Sequence, residues 1–188
     1  MTLTDTDLDA RLRRIEDRQE LSDLTLLYFL VMDERQLDDL PRIFTDDAHL
    51  GSDDGVFDAT GLDHIRETYQ GRFDALGPTF HYSHGLIADF GDDPDTATGV
   101  IVGHAEVVRN GTPMLVGLRY RDTYRRTADG WRIADRVMGY FYYLPAAQYA
   151  QVMTSDDRTL AYGDARPADW PSVLTGGDLS WLHALTGR

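Results

Sequence analysis

The sequence predicts an α+β fold, with three N-terminal helices covering a curved antiparallel sheet. Three observations carry that expectation. Apolar residues in the first third recur at three- and four-residue spacing, from residue 79 they alternate with period two, and turn signals rather than helices separate the alternating runs. Helices that precede strands, instead of alternating with them, collect on one side of an antiparallel sheet.

The first helix starts at a cap on Thr6 or Asp7 and carries Leu8, Leu12, Ile15, Leu24, Tyr28 and Val31. It ends in "LYFLVMDER", where Asp33 is the last inward-facing residue and Glu34 and Arg35 form the turn. A second, short helix fits Leu37, Leu40, Ile43 and Phe44, with Pro41 in its first turns. The third begins near Gly61, repeats through Leu62, Ile65, Tyr69, Phe73 and Leu76, and stops at Gly77-Pro78-Thr79.

Four strands in a meander follow. Phe80, Tyr82, His84, Leu86, Ala88 and Phe90 share one face of the first strand, and His81, Ser83, Ile87 and Asp89 the other, less apolar face. After the "GDDPD" turn a strand over about 96–109 ends at Asn110-Gly111, a strong hairpin signal. Met114, Val116, Leu118, Tyr120 and Tyr124 then alternate with Arg119, Arg121 and Arg125, and "ADG" leads into the last strand. Periodicity fades past Pro145. Residues 1–145 therefore read as one domain, and 146–188 as an extension lying on that domain or on a neighbouring subunit.

Charge and composition narrow the function. With 18 basic against 32 acidic residues the net charge is -14, which disfavours nucleic acid and anionic membranes as partners. No cysteine is present, so thiolate nucleophiles and disulfides are excluded. No apolar run approaches the ~20 residues of a membrane span, and the start lacks a secretory pattern. A cytoplasmic protein is the expectation.

Three stretches, "LYFLVMDERQLDDLPRIFTDDAHL", "FHYSHGLIADF" and "YRRTADGWRIADR", resemble the SnoaL-like branch of the nuclear transport factor 2-like (cystatin-like) superfamily, over roughly residues 10–145. The resemblance implies a cone with a pocket at its open end. The branch includes scytalone dehydratase, bile acid 7α-dehydratase and hexachlorocyclohexane dehydrochlorinase, eliminating lyases built on an Asp–His pair. It implies Asp33 and His81 as that pair and Tyr28 as a third catalytic residue. It also implies no cofactor, no metal, and a homo-oligomer, a trimer before a dimer.

The chemistry of the pair is coherent by itself. Neutral imidazole suits proton abstraction near pH 7, and a carboxylate bonded to one ring N–H fixes the tautomer. Residues five apart on a helix point ~140° apart, so Tyr28 shares a pocket with Asp33 only where the helix bends. His104, Phe57, Tyr69, Phe73, Met138, Tyr140 and Tyr142 are the expected walls of a site for a small hydrophobic carbonyl-containing or polycyclic substrate. In "GYFYYL", Tyr140 and Tyr142 cover one sheet face and Phe141 and Tyr143 the other; either set is core or pocket wall. His84 reads as a core or interface residue. The expected function is a dehydratase-type lyase with His81 as base. An isomerase, epimerase or cyclase on the same pair, or a non-catalytic binding domain, are the alternatives.

Overall fold

The computed structural model describes residues 5–185. Helix α1 (Asp5–Asp33) buries Leu21, Leu24, Tyr28, Phe29, Val31 and Met32. Its first turns do not dock: Leu8, Leu12 and Ile15 are 48%, 49% and 65% exposed, so the expected apolar stripe holds only in the second half. Docking starts where Arg14 and Arg18 lie over the Phe90 ring and Asp17 accepts from Trp131 and Arg126.

The expected second helix is a 3-10 turn, Leu37–Arg42. Pro41 inside it has no N–H to continue an α-helical ladder. Phe44 leaves the turn and opens a strand, β1 (Phe44–Ser52), followed by β2 (Asp58–Thr60). Helix α2 (Leu62–Phe73) then buries Ile65, Tyr69 and Phe73. The meander follows as β3 (Leu76–Asp89), β4 (Thr96–Arg109), β5 (Thr112–Thr127) and β6 (Gly130–Pro145). The strand order is β2-β1-β6-β5-β4-β3. The sheet is therefore six-stranded and mixed, because β1 pairs with β6 in parallel. Asn110 (φ 48°) and Gly111 (φ 78°) make the left-handed turn that their sequence predicts.

Register shifts in the ladders decide which side chains face the core. In β3 the shift falls between Ser83 and Gly85, and Gly85 takes φ 136°, a value that suits glycine. Before the shift the odd residues Thr79 and His81 face inward; after it Leu86 and Ala88 do. Phe80, Ile87 and Val102 are left exposed. In β6 the ladder slips between the Leu118–Tyr140 and Gly117–Tyr142 pairs, which turns Tyr143 inward and Tyr142 outward.

Beyond Met138, β6 no longer pairs with β1, and the C-terminal extension takes that edge. Tyr143 donates to the Arg158 carbonyl at 2.9 Å, Leu160 to the Tyr143 carbonyl at 2.7 Å, and Asp169 to the Tyr140 carbonyl at 2.9 Å. An unpaired edge would leave those backbone groups open. The extension contains helical turns α3 (Tyr149–Val152), α4 (Ser172–Thr175) and α5 (Ser180–Leu185). Among the described residues no helix is long and apolar enough to cross a membrane.

The concave face holds a buried charge. Arg136 is 0% exposed; its Nε and Nη2 donate to Asp122 at 2.8 and 2.6 Å, and the Tyr124 hydroxyl donates to the same carboxylate at 2.7 Å. The Tyr28 and Tyr120 rings lie 4.2 and 4.7 Å from its guanidinium carbon. Removing one partner of such a pair leaves a desolvated charge and costs about 3–5 kcal/mol. Asp122→Ala should lose that much stability in urea denaturation at neutral pH. A loss below about 1 kcal/mol would show that the pair is not held as described.

Candidate active site

The concave face and the two long helices enclose a narrow cavity. Water-sized molecules can be centred in about 50 Å³ of it, room for roughly three to five waters. Met32, Phe73, Leu76, Ala105, Val107, Val116, Leu118 and Met138 supply apolar wall, and Tyr28, Tyr69, Tyr120, Tyr140, Tyr143, Thr79, Arg72 and His81 supply polar groups.

Asp33 ends α1, and the chain turns away at Arg35 through φ 56°. That ending aims its carboxylate at β3 instead of at water. It accepts the Thr79 hydroxyl at 2.8 Å, the His81 backbone N–H at 2.9 Å and His81 Nδ1 at 2.6 Å. Burial pushes the Asp33 carboxyl up, but the His81 ring and N–H and the Thr79 hydroxyl outweigh it and hold the group below its ordinary range. His81 stacks on Phe29, centroids 5.3 Å apart at 11°, so its ring plane is fixed as well. With Nδ1 donating to an ionised carboxylate, the lone pair lies on Nε2. Nε2 has no hydrogen bond among the described residues, and the ring borders the cavity.

Asp33 itself does not line the cavity. Tyr28 and Met32, four apart on the helix, point in; Asp33 lies a further ~100° round and reaches the cavity only through His81. The expected angular conflict between Tyr28 and Asp33 thus disappears without their sharing a wall. The Tyr28 and Tyr69 hydroxyls are 2.9 Å apart, and burial pushes both above the ordinary phenol range, so they stay neutral.

Tyr69, Phe73, Met138 and Tyr140 line the cavity as expected of walls. Three other expected wall residues do not. His104 lies on the outer face, its ring stacked between Tyr82 and His84 and its Nδ1 2.8 Å from His84 Nε2. Tyr142 is turned outward by the β6 slip, onto Gly117, where an added Cβ would stand 3.0 Å from its ring. Phe57 sits behind Arg72, with the guanidinium 4.7 Å over its ring.

Arg72 is the cation that the sequence reading missed; its Nη2 donates to the Tyr140 hydroxyl at 3.3 Å. Its spacing, three after Tyr69 and seven after Ile65, places it on the inward face of α2 and was a usable signal. Thr79 and Tyr120 were also missed, and Tyr143 had stood only in the alternative set of the "GYFYYL" run. Among the described residues no group of three or more His, Asp or Glu side chains is arranged to hold a metal.

A family model described as a SnoaL-like domain matches residues 13–137. The chain belongs to the SnoaL-like family. An uncharacterised protein from Mycobacterium tuberculosis is 35% identical over 133 residues, 65% of this chain and 84% of that protein. The hexachlorocyclohexane dehydrochlorinase LinA-type3 of Novosphingobium barchaimii superposes with a TM-score of 0.66 at 21% identity, covering 73% of this chain and 94% of that one. A putative scytalone dehydratase from Novosphingobium aromaticivorans gives 0.63 at 18% identity, covering 73% and 91%. Those two structures show the fold alone, which an ntf2-like protein with a cystatin-like fold from Novosphingobium aromaticivorans shares with a TM-score of 0.61 at 26% identity, covering 75% of this chain and 92% of that one.

The depressed Asp33 carboxyl makes a pH signature. Its stabilisation of this SnoaL-like domain is complete above the unfolded-state value of about 3.9 and is lost as pH falls through the lower native value. In urea denaturation, the stability gap between wild type and Asp33→Asn should shrink as pH falls from about 5 to below about 4. A gap that widens across that acid range would contradict the assignment.

Proposed function

We propose that this SnoaL-like protein is a cofactor-independent lyase that dehydrates a small hydrophobic carbonyl compound. One observation carries the reading: the 2.6 Å Asp33–His81 contact, which turns the other imidazole nitrogen toward an enclosed cavity. His81 Nε2 removes a proton from the carbon next to a carbonyl, and Asp33, a positioning residue, stabilises the imidazolium that forms. The electron pair first moves onto the carbonyl oxygen, where Arg72 and the Tyr140 hydroxyl oppose the developing charge. It then returns to form the C=C bond as the β-C–O bond breaks. The departing hydroxide takes the proton back from His81 and leaves as water, so the base is restored without an external reactant.

Tyr28, held by Tyr69, is the donor toward the leaving hydroxyl. The narrow space favours a one-ring substrate over a polycyclic one. The same base would also serve an isomerase, epimerase or cyclase; exchange of solvent deuterium into substrate without loss of water would identify that outcome.

A panel of cyclic β-hydroxy ketones, followed by the absorbance of the conjugated product, tests the proposal. For a substrate that turns over, His81→Ala should lower kcat by about 10²–10⁴, and Asp33→Asn should fall between the two. Equal rates for wild type and His81→Ala would remove His81 from the mechanism.

A further inference from the structure

Strand β5 also serves the opposite face of the sheet. Leu118 and Tyr120 line the cavity, whereas Arg119 and Arg121, between and after them, point outward to where the C-terminal extension crosses the sheet. Arg121 has a partner, the Asp53 carboxylate, which takes both of its Nη groups. Arg119 has none. It is only 7% exposed, its Nε is buried without a hydrogen bond, and no carboxylate among the described residues forms an ion pair with it. Burial and the nearby Arg121 pull its pKa down, as expected of a cation short of counter-charge.

Two indole rings hold this guanidinium, Trp170 at 5.1 Å and Trp181 at 4.5 Å from its carbon. Cation–π contact occupies the faces of the guanidinium and leaves its in-plane N–H edge open. Arg119 borders a pocket in which water-sized molecules can be centred in about 410 Å³, roomier than the cavity on the concave face. Ala168, Gly177 and the Trp181 ring give it apolar wall, and Ser172 a hydroxyl.

We propose that this pocket is a second binding site, for a small organic monocarboxylate whose two oxygens take the open edge of Arg119. A planar carboxylate matches a guanidinium fork in bidentate geometry. A phosphate dianion would meet stronger repulsion, because Asp53, Asp169 and Asp178 line the same pocket. Both tryptophans that clamp Arg119 belong to the extension, so the site requires residues beyond the matched 13–137. It lies on the opposite face from His81 and is independent of the lyase reading.

The two tryptophans are the reporters. Cyclohexanecarboxylate, which does not absorb where indole does, is titrated into the full chain while indole fluorescence is followed, with inorganic phosphate in a parallel arm. A saturable change is expected with the carboxylate, and binding at least roughly tenfold weaker with phosphate. Arg119→Met should abolish the change, Arg119→Lys, which keeps charge but loses the fork, should weaken binding roughly tenfold, and His81→Ala should leave it intact. Circular dichroism checks that each variant folds; if Arg119→Met does not, Arg119→Lys decides. No saturable change in wild type, unaltered affinity in Arg119→Lys, equal affinity for phosphate, or loss of the signal in His81→Ala would each overturn the proposal.

Discussion

A guanidinium with no solvent exposure sits at the centre of the concave face, and much of the interior is arranged around it. Arg136 is tolerable there because Asp122 takes two of its N–H groups and the Tyr28 and Tyr120 rings lie near its guanidinium carbon. Asp122 in turn takes the Tyr124 hydroxyl. Three tyrosines are fixed by one cation–carboxylate pair, and one of them, Tyr28, belongs to α1. The helix is therefore tied to the sheet by a cation–π contact within a largely apolar stretch of the interface.

Asp33 ties the same helix down a second time, at its end. Three donors from β3 converge on that carboxylate, so the helix terminus and the strand cannot shift independently without breaking charge-assisted hydrogen bonds. Between these anchors Tyr28 and Met32 line one wall of the cavity and His81 another. The proposed base is thus placed by the contacts that dock the helix, so packing and proton chemistry share one set of bonds. The extension adds a separate structure on the far face, where it takes the edge of β6 left vacant by β1 and brings Trp170 and Trp181 over Arg119.

Much of this was legible in the chain. Helical spacing located the second half of α1 and all of α2, and period-two runs located β3 to β6. β1 was missed because Asp46 and Asp47 interrupt its apolar positions; pairing with β6 makes the strand, not its own propensity. The register shifts were the harder problem. One extra residue flips every later side chain to the other face, which is why His81 faces inward from the less apolar parity and Tyr142 faces outward. Asp122 was readable in principle, as a charge at an inward position between buried tyrosines, whereas Arg136 comes inward only through a further slip between the Tyr124–Ile133 and Thr123–Asp135 pairs. The Asp33–His81 pairing, across 48 residues, was not: only the family resemblance suggested it, because nothing local in either segment names its partner.

The central claim is that Asp33 holds His81 in one tautomer with Nε2 free toward the cavity. Long-range 1H–15N correlation spectra of imidazole-labelled protein, taken in mildly alkaline buffer, test it directly. The expected result is a His81 ring protonated at Nδ1 and bare at Nε2 in wild type, with that preference lost in Asp33→Asn. A wild-type His81 protonated at Nε2, or averaging between tautomers as a free imidazole does, would contradict it.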